Sequence, residues 1–447
     1  WRAGCWTCLA VSVAIVVVTM LLPGVALNGA GIEIIAIDVG VLGSSPELSP
    51  FVVARIPGFW WLNANAVATV RDASIWSPAV GLEGQVRIGR LVLPVLDLPF
   101  IEEDCGIDRN VSVQVEDLES FARAAEHLML AESTTWRVQG LVDAQVWHLG
   151  IFHEDFPGLR MDREITVKGM AGFRQDVNPA MMSDFVGVVA TLGSLTLEVV
   201  VILRNPSFLA VRIDEEMTFG VESKVGGKLG VAKVASLRLV PGDSSATVQL
   251  IFVKSPATEQ AVQGLLAGYF GAEVQPLYIV GNMNSSSDHV VGTVVQDLRA
   301  EMDFLPPRTQ FVQHIAARVS PTGLKAQVQL LNPLPQTITL GAFDLHIFLK
   351  DAPDTMIFEL NSINSATALP ATPLPPRQVA EVNLSLSVFG AKIGAIAELE
   401  KIVKAAGEGS IVVTARGPIS VTVHENYEVI VPYEGKDLTA RLGCCVF

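Results

Sequence analysis

The chain has 447 residues, half of them apolar and 17% of them charged, and its mean hydropathy is +0.43. This composition excludes a disordered chain, and the length corresponds to about three domains of 100–150 residues. The formal charge of −15 comes from dispersed Asp and Glu, which repel phosphate backbones and exclude nucleic acid as a partner.

An uncharged apolar segment opens the chain. No charged residue occurs from Ala3 to Ile32, and much of this segment is Val, Leu, Ile and Ala, which suits about 20 residues of helix in hydrocarbon. Arg2 precedes the segment and Glu33 is the first charge after it, so the positive-inside rule predicts a cytosolic N-terminus. We therefore predict a cytosolic stub and a transmembrane helix in residues 1–30. Cleavage of the same segment as a signal peptide is the alternative.

Several modification signals accompany this topology. Cys5 and Cys8 lie beside the apolar segment and are candidates for acylation on the cytosolic side. Glycosylation tripeptides begin at Asn110, Asn284 and Asn383, in the part predicted to be lumenal or extracellular. The last four residues have the form of a prenylation box, Cys-Cys-Val-Phe, but prenyl transfer is cytosolic and would require that the N-terminal segment does not span the membrane.

Three helix-period segments interrupt an otherwise β-like sequence, namely Glu116–Ala131, Ala257–Phe270 and Ala391–Ala406. In each segment apolar residues recur three and four positions apart, which predicts a helix with one buried stripe. We expect the stripes to face either the core or a lipid, and they contain Leu118, Phe121, Leu128, Val262, Leu265, Tyr269, Ile396, Leu399 and Val403. The near-equal spacing of the segments predicts one domain per helix.

Alternating apolar residues precede a turn signal twice in the chain. Leu195–Leu203 alternates before Asn205-Pro206, and Ala326–Leu330 alternates before Asn332-Pro333, which predicts antiparallel strands joined at each Asn-Pro. The fold class is therefore mainly β, with three tandem β-sandwich-like repeats that each carry one amphipathic helix. We predict repeats at residues 31–172, 173–306 and 307–436, followed by a C-terminal tail at 437–447.

The two Asn-Pro motifs carry a family resemblance. The sequences LRNPS at Leu203–Ser207 and LLNP at Leu330–Pro333, with the order of elements around them, resemble the late embryogenesis abundant type 2 domain, also called the water-stress and hypersensitive-response domain. The similarity covers residues 173–436 well and 31–172 poorly, and is greatest to the tandem, membrane-anchored versions of fungi and protists. It implies small β-sandwiches with one helix across the sheet, no active site, and a lipid-handling role like that suggested for vacuolar relatives.

The sequence contains no recognisable catalytic motif. No GxSxG, HExxH, phosphate-binding glycine loop or EF-hand loop occurs, so we predict that the protein is not an enzyme and needs no cofactor. Two histidines and two carboxylates lie close together from His148 to Asp155, but strand alternation separates them, and a polar strand end is the simpler interpretation. The other histidines are scattered, and we predict no metal site.

A pair of tryptophans, Trp60 and Trp61, forms the most apolar cluster outside the N-terminal segment. The pair is interpreted either as core packing or as a loop that contacts the membrane at headgroup level. For the whole protein we predict a non-enzymatic, single-pass membrane protein whose domains serve as a structural or interaction module in an assembly. The alternative is a lipid-binding or lipid-transfer module with an apolar groove between helix and sheet. The expected partners are the bilayer and other subunits or a second copy.

Overall fold

The computed structural model describes residues 33–45, 47–48, 50–57, 64–82, 84–93, 95–99, 104–148, 152–173, 180–224, 227–305, 307–320, 323–362, 371–387, 410–424 and 426–443. Several predictions fall outside these ranges: the transmembrane segment with Cys5 and Cys8, the pair Trp60 and Trp61, the third helix with Ile396, Leu399 and Val403, and the C-terminal Cys-Cys-Val-Phe. Within the described ranges, no helix is both long enough and apolar enough to span a bilayer.

The prediction of a mainly β fold is confirmed. The first sheet contains five strands in the order β16-β13-β1-β3-β7. Their bounds are β1 Glu33–Val41, β3 Phe51–Pro57, β7 Asp104–Asn110, β13 Leu209–Ile213 and β16 Leu237–Leu239. Strand β1 runs parallel to β13, with Ile37 opposite Leu209. Because β13 and β16 lie beyond residue 172, this sheet joins strands from the first two predicted repeats.

The second sheet lies entirely in the N-terminal part of the chain, in the order β10-β9-β4-β5-β8-β2, with β6 paired to β4. Its strands are β2 Glu47–Leu48, β4 Ala64–Pro78, β5 Gln85–Val92, β6 Leu96–Pro99, β8 Ser112–Val115, β9 Ser133–His148 and β10 Phe152–Lys168. On β9, Val142, Ala144 and Val146 are buried and alternate with more exposed residues, as expected for a strand with one face on a core.

The third sheet closes on itself as a ring of seven strands, in the order β11-β12-β17-β15-β14-β18-β19. The strands are β11 Ala180–Ala190, β12 Ser194–Asn205, β14 Met217–Ser223, β15 Lys228–Val234, β17 Gly242–Val253, β18 Gln275–Val280 and β19 Arg299–Phe304. Closure comes from a short parallel pairing in which Ala180 lies opposite Met302 and Met182 lies opposite Phe304. The second predicted repeat is therefore a closed sheet, where the sequence led us to expect a sandwich.

The fourth sheet forms the C-terminal part, in the order β23-β22-β26-β27-β20-β21-β25, with β24 paired to β22. The strands are β20 Val312–Ser320, β21 Gly323–Leu331, β22 Ile338–Leu349, β23 Ala352–Asn361, β24 Thr372–Leu374, β25 Val379–Ser387, β26 Ile411–Val423 and β27 Tyr427–Gly443. Residues up to Gly443, which the sequence analysis assigned to a tail, continue β27 and pair in parallel with β20. The buried side chains of Leu438 and Ala440 explain this continuation, because they extend the apolar face of the strand.

In the described part of the chain three α-helices accompany the sheets: α1 Leu118–Leu130, α2 Glu259–Phe270 and α3 His289–Val295. The first two coincide with predicted helices to within two residues at each end. Asp117 caps α1 by accepting hydrogen bonds from the amides of Glu119 and Ser120. The second repeat has two helices where one was expected. The additional short helix, α3, is stabilised at its start by Asp288, which accepts hydrogen bonds from the amides of Val290 and Val291.

The two Asn-Pro corners are built alike. The Asn205 side chain is buried, donates to the Leu209 carbonyl at 2.6 Å and accepts from the Ser207 amide at 3.0 Å. Asn332, which is fully buried, donates to two backbone carbonyls at 2.8 and 2.9 Å and accepts from the Leu334 amide at 3.0 Å. Only an amide side chain supplies both donors and an acceptor at these positions. The turn signal in the sequence therefore corresponds to a specific buried contact in both units.

An aromatic cluster connects the closed sheet to the fourth sheet. Phe270, the last residue of α2, lies with its ring 5.1 Å from that of Phe311, and its carbonyl accepts from the Phe311 amide at 2.8 Å. The ring of Tyr433 packs edge-on against Phe311 at 6.2 Å, and its hydroxyl accepts from the Val312 amide. Burial raises the pKa of Tyr433, so the hydroxyl stays protonated at physiological pH.

Asn332→Ala should lower the free energy of unfolding by about 1–3 kcal/mol, because it leaves one buried carbonyl, one half-buried carbonyl and one amide without their partner. Chemical denaturation followed by circular dichroism measures the loss. Asn284→Ala is the matched control, since Asn284 is exposed, and its effect should stay within about 0.5 kcal/mol. Equal effects of the two substitutions would contradict a structural role of the corner.

Candidate functional site: an apolar cavity between the first two sheets

A cavity of about 380 Å³ lies between the first sheet, the second sheet and α1, next to the closed sheet. Every residue that lines it has an apolar or indole side chain. This volume lies at the lower end of the range of about 300–1,000 Å³ that is typical of small-molecule sites. The cavity is therefore large enough for a ligand, and its wall offers apolar contacts almost exclusively.

Strand alternation builds two sides of the cavity. On β9 the residues Trp136, Val138 and Val142 line it, and they point to one face because they are separated by even numbers of residues. On the opposite side β13 contributes Leu209 and Val211 in the same way. Because β13 belongs to the second predicted repeat but pairs with β1 of the first, the cavity exists only where strands of the two repeats meet.

Helix α1 forms a third side. Phe121, Ala125 and Leu128 line the cavity, so two members of the predicted stripe lie where a ligand would contact them. Leu118 packs against the core clusters beside the cavity but does not line it. The sequence analysis expected a groove between the helix and the sheet of each repeat, and the structure instead has α1 cover a cavity shared by two units.

The stripe of α2 has a different surrounding. Val262, Leu265 and Tyr269 are all buried in the main core, and none of them lines the cavity. The Tyr269 ring lies 5.4 Å from that of Phe304 on β19, inside the closed-sheet unit. The stripe of α2 therefore packs as core, whereas that of α1 contributes to the cavity wall.

A buried carboxylate, Glu126, connects α1 to the end of α3 behind the wall. Its side chain is fully buried, and both of its oxygens accept from the side-chain amide of Gln296, at 3.0 and 3.1 Å. Burial raises the pKa of Glu126, and the neighbouring Asp297 raises it further, while the hydrogen bond from Gln296 and the charge of Arg123 oppose the rise. The sequence analysis missed this residue, because a Glu within a helix normally faces solvent.

Two half-buried tryptophans each have an indole N–H without a hydrogen-bond acceptor among the described residues. They are Trp136 on β9 and Trp76 on the neighbouring strand β4, and the Nε1 atom is buried in both. Trp136 lines the cavity and Trp76 does not. The sequence analysis singled out neither residue, because an isolated Trp in a β-like segment is typical of core packing.

The predicted glycosylation residues lie at the surface where the structure describes their side chains. Asn284 is exposed in a short turn before α3, and Asn383 is exposed on β25. Asn110 is the last residue of β7 and pairs with Phe51. Their occupancy by glycans stays a prediction.

Two histidine-containing groups contribute no residue to the lining of the cavity. His153 contacts the Asp155 carboxylate at 3.0 Å near the turn between β9 and β10, where both side chains are exposed. A second group brings Asp344, His346 and Glu359 together on β22 and β23, with one potential ligand atom from each within 4.8 Å of the others. The sequence analysis missed it, because Glu359 reaches His346 only through strand pairing. In this group His346 Nε2 lies 3.6 Å from Asp344 Oδ1, which is buried without a hydrogen-bond partner among the described residues, and Asn361 donates to Glu359 at 3.4 Å.

Comparison with family models finds one match, which covers part of the chain. A family model described as a protein of unknown function, DUF3712, matches residues 91–219. The matched segment includes α1, β9 and β10, and it therefore supplies much of the cavity wall. It also runs across the predicted boundary at residue 172. The resemblance to the late embryogenesis abundant type 2 domain and the predicted domain boundaries stay predictions.

Comparison with curated protein sequences gives no significant match. Among solved structures, the chain is similar to the periplasmic chaperone SfaE, with 8% identity over 61% of this chain and 97% of that chain, at a TM-score of 0.14. It is also similar to CBD12 from CALX1.2, with 8% identity over 55% of this chain and 77% of that chain, at a TM-score of 0.13. Similarity at these TM-scores carries no argument about this chain.

Glu126→Gln should reduce the pH dependence of stability. Because the folded-state pKa of Glu126 is raised, the folded state holds this proton more tightly, and the wild type should lose stability as pH rises from the ordinary glutamate pKa through the raised one. The variant carries no titrating proton there, so its unfolding free energy should fall less over the same interval. Denaturation curves at a series of pH values measure the difference. Glu119→Gln, on the exposed side of the same helix, is the control, and an unchanged slope in Glu126→Gln would contradict the assignment.

Proposed function

We propose that this chain is a non-enzymatic binding module that holds an apolar ligand, such as a lipid chain, in the cavity beneath α1. The observation that carries the proposal is the apolar wall enclosing about 380 Å³. Lipid binding was the alternative that the sequence left open. The cavity geometry favours it over a purely structural role, because a scaffold needs only filled cores.

The energetic cost of the cavity supports an occupant. At about 24 cal/mol per Å³, a fully closed and unfilled apolar cavity of 380 Å³ would cost up to ~9 kcal/mol, and the cost is smaller here because the cavity is partly open to solvent. That is comparable to the roughly 5–15 kcal/mol by which a whole domain is stable. A ligand that fills the space restores dispersion contacts to its lining residues and offsets part of this cost. Binding and folding stability are therefore linked in this proposal.

The predicted membrane attachment fits the same function. A single span in residues 1–30 would hold the described sheets close to a bilayer, which is a source of apolar ligands. The sheets would then lie on the lumenal or extracellular side, as the charge distribution around the span predicts. Under this proposal the bilayer is the main partner.

An exposed apolar patch favours a second candidate, an interaction module. Leu192 is 84% exposed at the turn between β11 and β12, and Val189 and Val253 beside it are 63% and 54% exposed. Strand pairing puts Val253 opposite Ser194, next to this turn. Large apolar side chains grouped at one end of a sheet are typical of a contact surface, for a second copy or another subunit.

Filling the cavity tests the first proposal. Ala125→Phe introduces a ring from α1 into the lined space, and the purified full chain should lose lipid that is detectable in organic extracts by mass spectrometry. Ala261→Phe is the matched control, since Ala261 is also a half-buried helical alanine but does not line the cavity, and it should retain lipid. Circular dichroism verifies that both variants are folded. Absence of lipid from the wild type, or equal lipid in both variants, would contradict the proposal.

Removing the patch tests the second candidate. Leu192→Ser should shift the full chain toward its smallest species in sedimentation measurements, because it removes apolar area from the contact surface. Leu82→Ser is the control, since Leu82 is also an exposed leucine but lies in the turn between β4 and β5 of the second sheet. If Leu192→Ser sediments like the wild type, the patch does not mediate association.

A further inference from the structure

We propose that the cavity binds a single-chain amphiphile lengthwise across the second sheet, with the alkyl chain enclosed and the polar head group in a second pocket beside β2. The inference rests on the proposed function and specifies the class and the orientation of the ligand. Fatty amines and fatty alcohols belong to this class. Lipids with two chains that must enter the cavity together do not.

The cavity is long and narrow. Its wall contains residues from all six strands on the path of the second sheet, namely Met161 of β10, Val142 of β9, Ala68 of β4, Ile88 of β5, Val113 of β8 and Leu48 of β2. Neighbouring strands lie about 4.8 Å apart, so the wall extends up to about 24 Å from β10 to β2. Spread over this length, a volume of about 380 Å³ leaves a cross-section on the order of 20 Å². This width admits one alkyl chain and not two.

The wall has no place for a polar head group. Among the described residues that line the cavity, none carries an ionisable side chain. Trp136 has the one polar side-chain atom of this lining, and that atom is buried within the wall. A head group inside the cavity would therefore lose its hydration without gaining a hydrogen-bond partner, which is strongly unfavourable. The head group must lie outside the cavity, next to one end of the chain.

A second pocket provides this position at the β2 end. Its volume is about 340 Å³, and all of its lining residues lie between positions 39 and 48, in the segment that runs from β1 to β2. Two of them, Val39 and Leu48, also line the cavity, so the two spaces adjoin there. The second pocket is also lined by Ser45 and Glu47, which offer the hydroxyl and the carboxylate that the cavity lacks.

The charges beside the second pocket favour a head group that is not an anion. Glu47 is exposed at this pocket, and Asp288 reaches the same segment, where it accepts from the Ser44 amide at 2.8 Å. Neither carboxylate forms an ion pair with another residue in the described part of the chain. Arg212, whose strand pairs with β1, is bound to Asp214 at 3.1 Å. A neutral or cationic head group therefore complements the pocket better than an anionic one.

Photolabelling locates the two ends of a bound chain. Two hexadecylamine probes carry a diazirine, one beside the amine and one at the end of the chain. Each probe is added to the full chain purified in detergent and depleted of lipid, and mass spectrometry identifies the labelled peptides after illumination. The first probe should label residues 39–48, and the second should label peptides that contain Val142 or Met161. Ala125→Phe measures background labelling.

Chain length and head group provide a second measurement, by native mass spectrometry of the same preparation. One alkylamine should bind per protein, and its affinity should rise about fourfold per methylene. The rise should stop near 20 carbons, when an extended chain of about 1.2 Å per bond reaches β10. Hexadecylamine should bind about 2- to 10-fold more tightly than hexadecanoate, the range expected for exposed charges. Glu47→Gln should reduce this preference, whereas Glu164→Gln should keep it, since Glu164 is exposed on β10 and lines neither space.

The outcomes separate this inference from the proposed function. Labels in the reverse order, the same labels from both probes, or two chains bound per protein would overturn the inference while leaving apolar binding intact. An unchanged preference in Glu47→Gln would overturn the position of the head group. If no compound binds above the background, the proposed function fails as well. Should Glu47→Gln not fold, the labelling of the wild type still decides for or against the orientation.

Discussion

The parallel pairing of β1 with β13 is the contact on which the cavity depends. Ile37 donates to the Phe208 carbonyl at 3.1 Å, and Leu42 donates to the Arg212 carbonyl at 2.8 Å, so the two strands are joined at both ends. Through β1 this ladder also positions β3 and β7, which have no other sheet to join. Without the pairing, the first sheet would separate into two small parts and the apolar faces of β9 and α1 would be exposed. Formation of the site is therefore coupled to docking of the two units.

Local sequence patterns predicted the elements well where one face is buried. The alternation on β12 and the three-four spacing on α2 correspond to observed elements, because burial of one face imposes its period on the sequence. Both Asn-Pro corners were recognisable for a similar reason, since the buried Asn is part of the turn itself. Short α3 escaped notice, because seven residues are too few to display a helical period.

Long-range pairing could not be predicted in the same way. A hairpin has a turn signal between its two strands. Strands β1 and β13, in contrast, are separated in the sequence by α1 and all strands from β2 to β12, and no local residue pattern indicates that they pair. The pairing of β11 with β19, which closes the third sheet, likewise has no local signal in the sequence. The candidate site could not be predicted for the same reason. Phe121 and Leu128 were predicted as part of a helix stripe, but the cavity that they line together with Trp136 depends on which sheets pack against each other.

The two kinds of wall around the cavity differ in how firmly they are held. Strands β9 and β13 each have ladder partners on both sides, so displacing either one breaks several backbone hydrogen bonds at once. Helix α1 satisfies most of its backbone internally and meets α3 through side chains, among them the contact between Glu126 and Gln296. Displacing the helix therefore costs apolar contacts and a few polar ones, but no ladder. Entry or exit of a ligand would therefore require the smallest loss of contacts if α1 moved. Because the pKa of Glu126 is raised, the strength of the contact between Glu126 and Gln296 depends on pH.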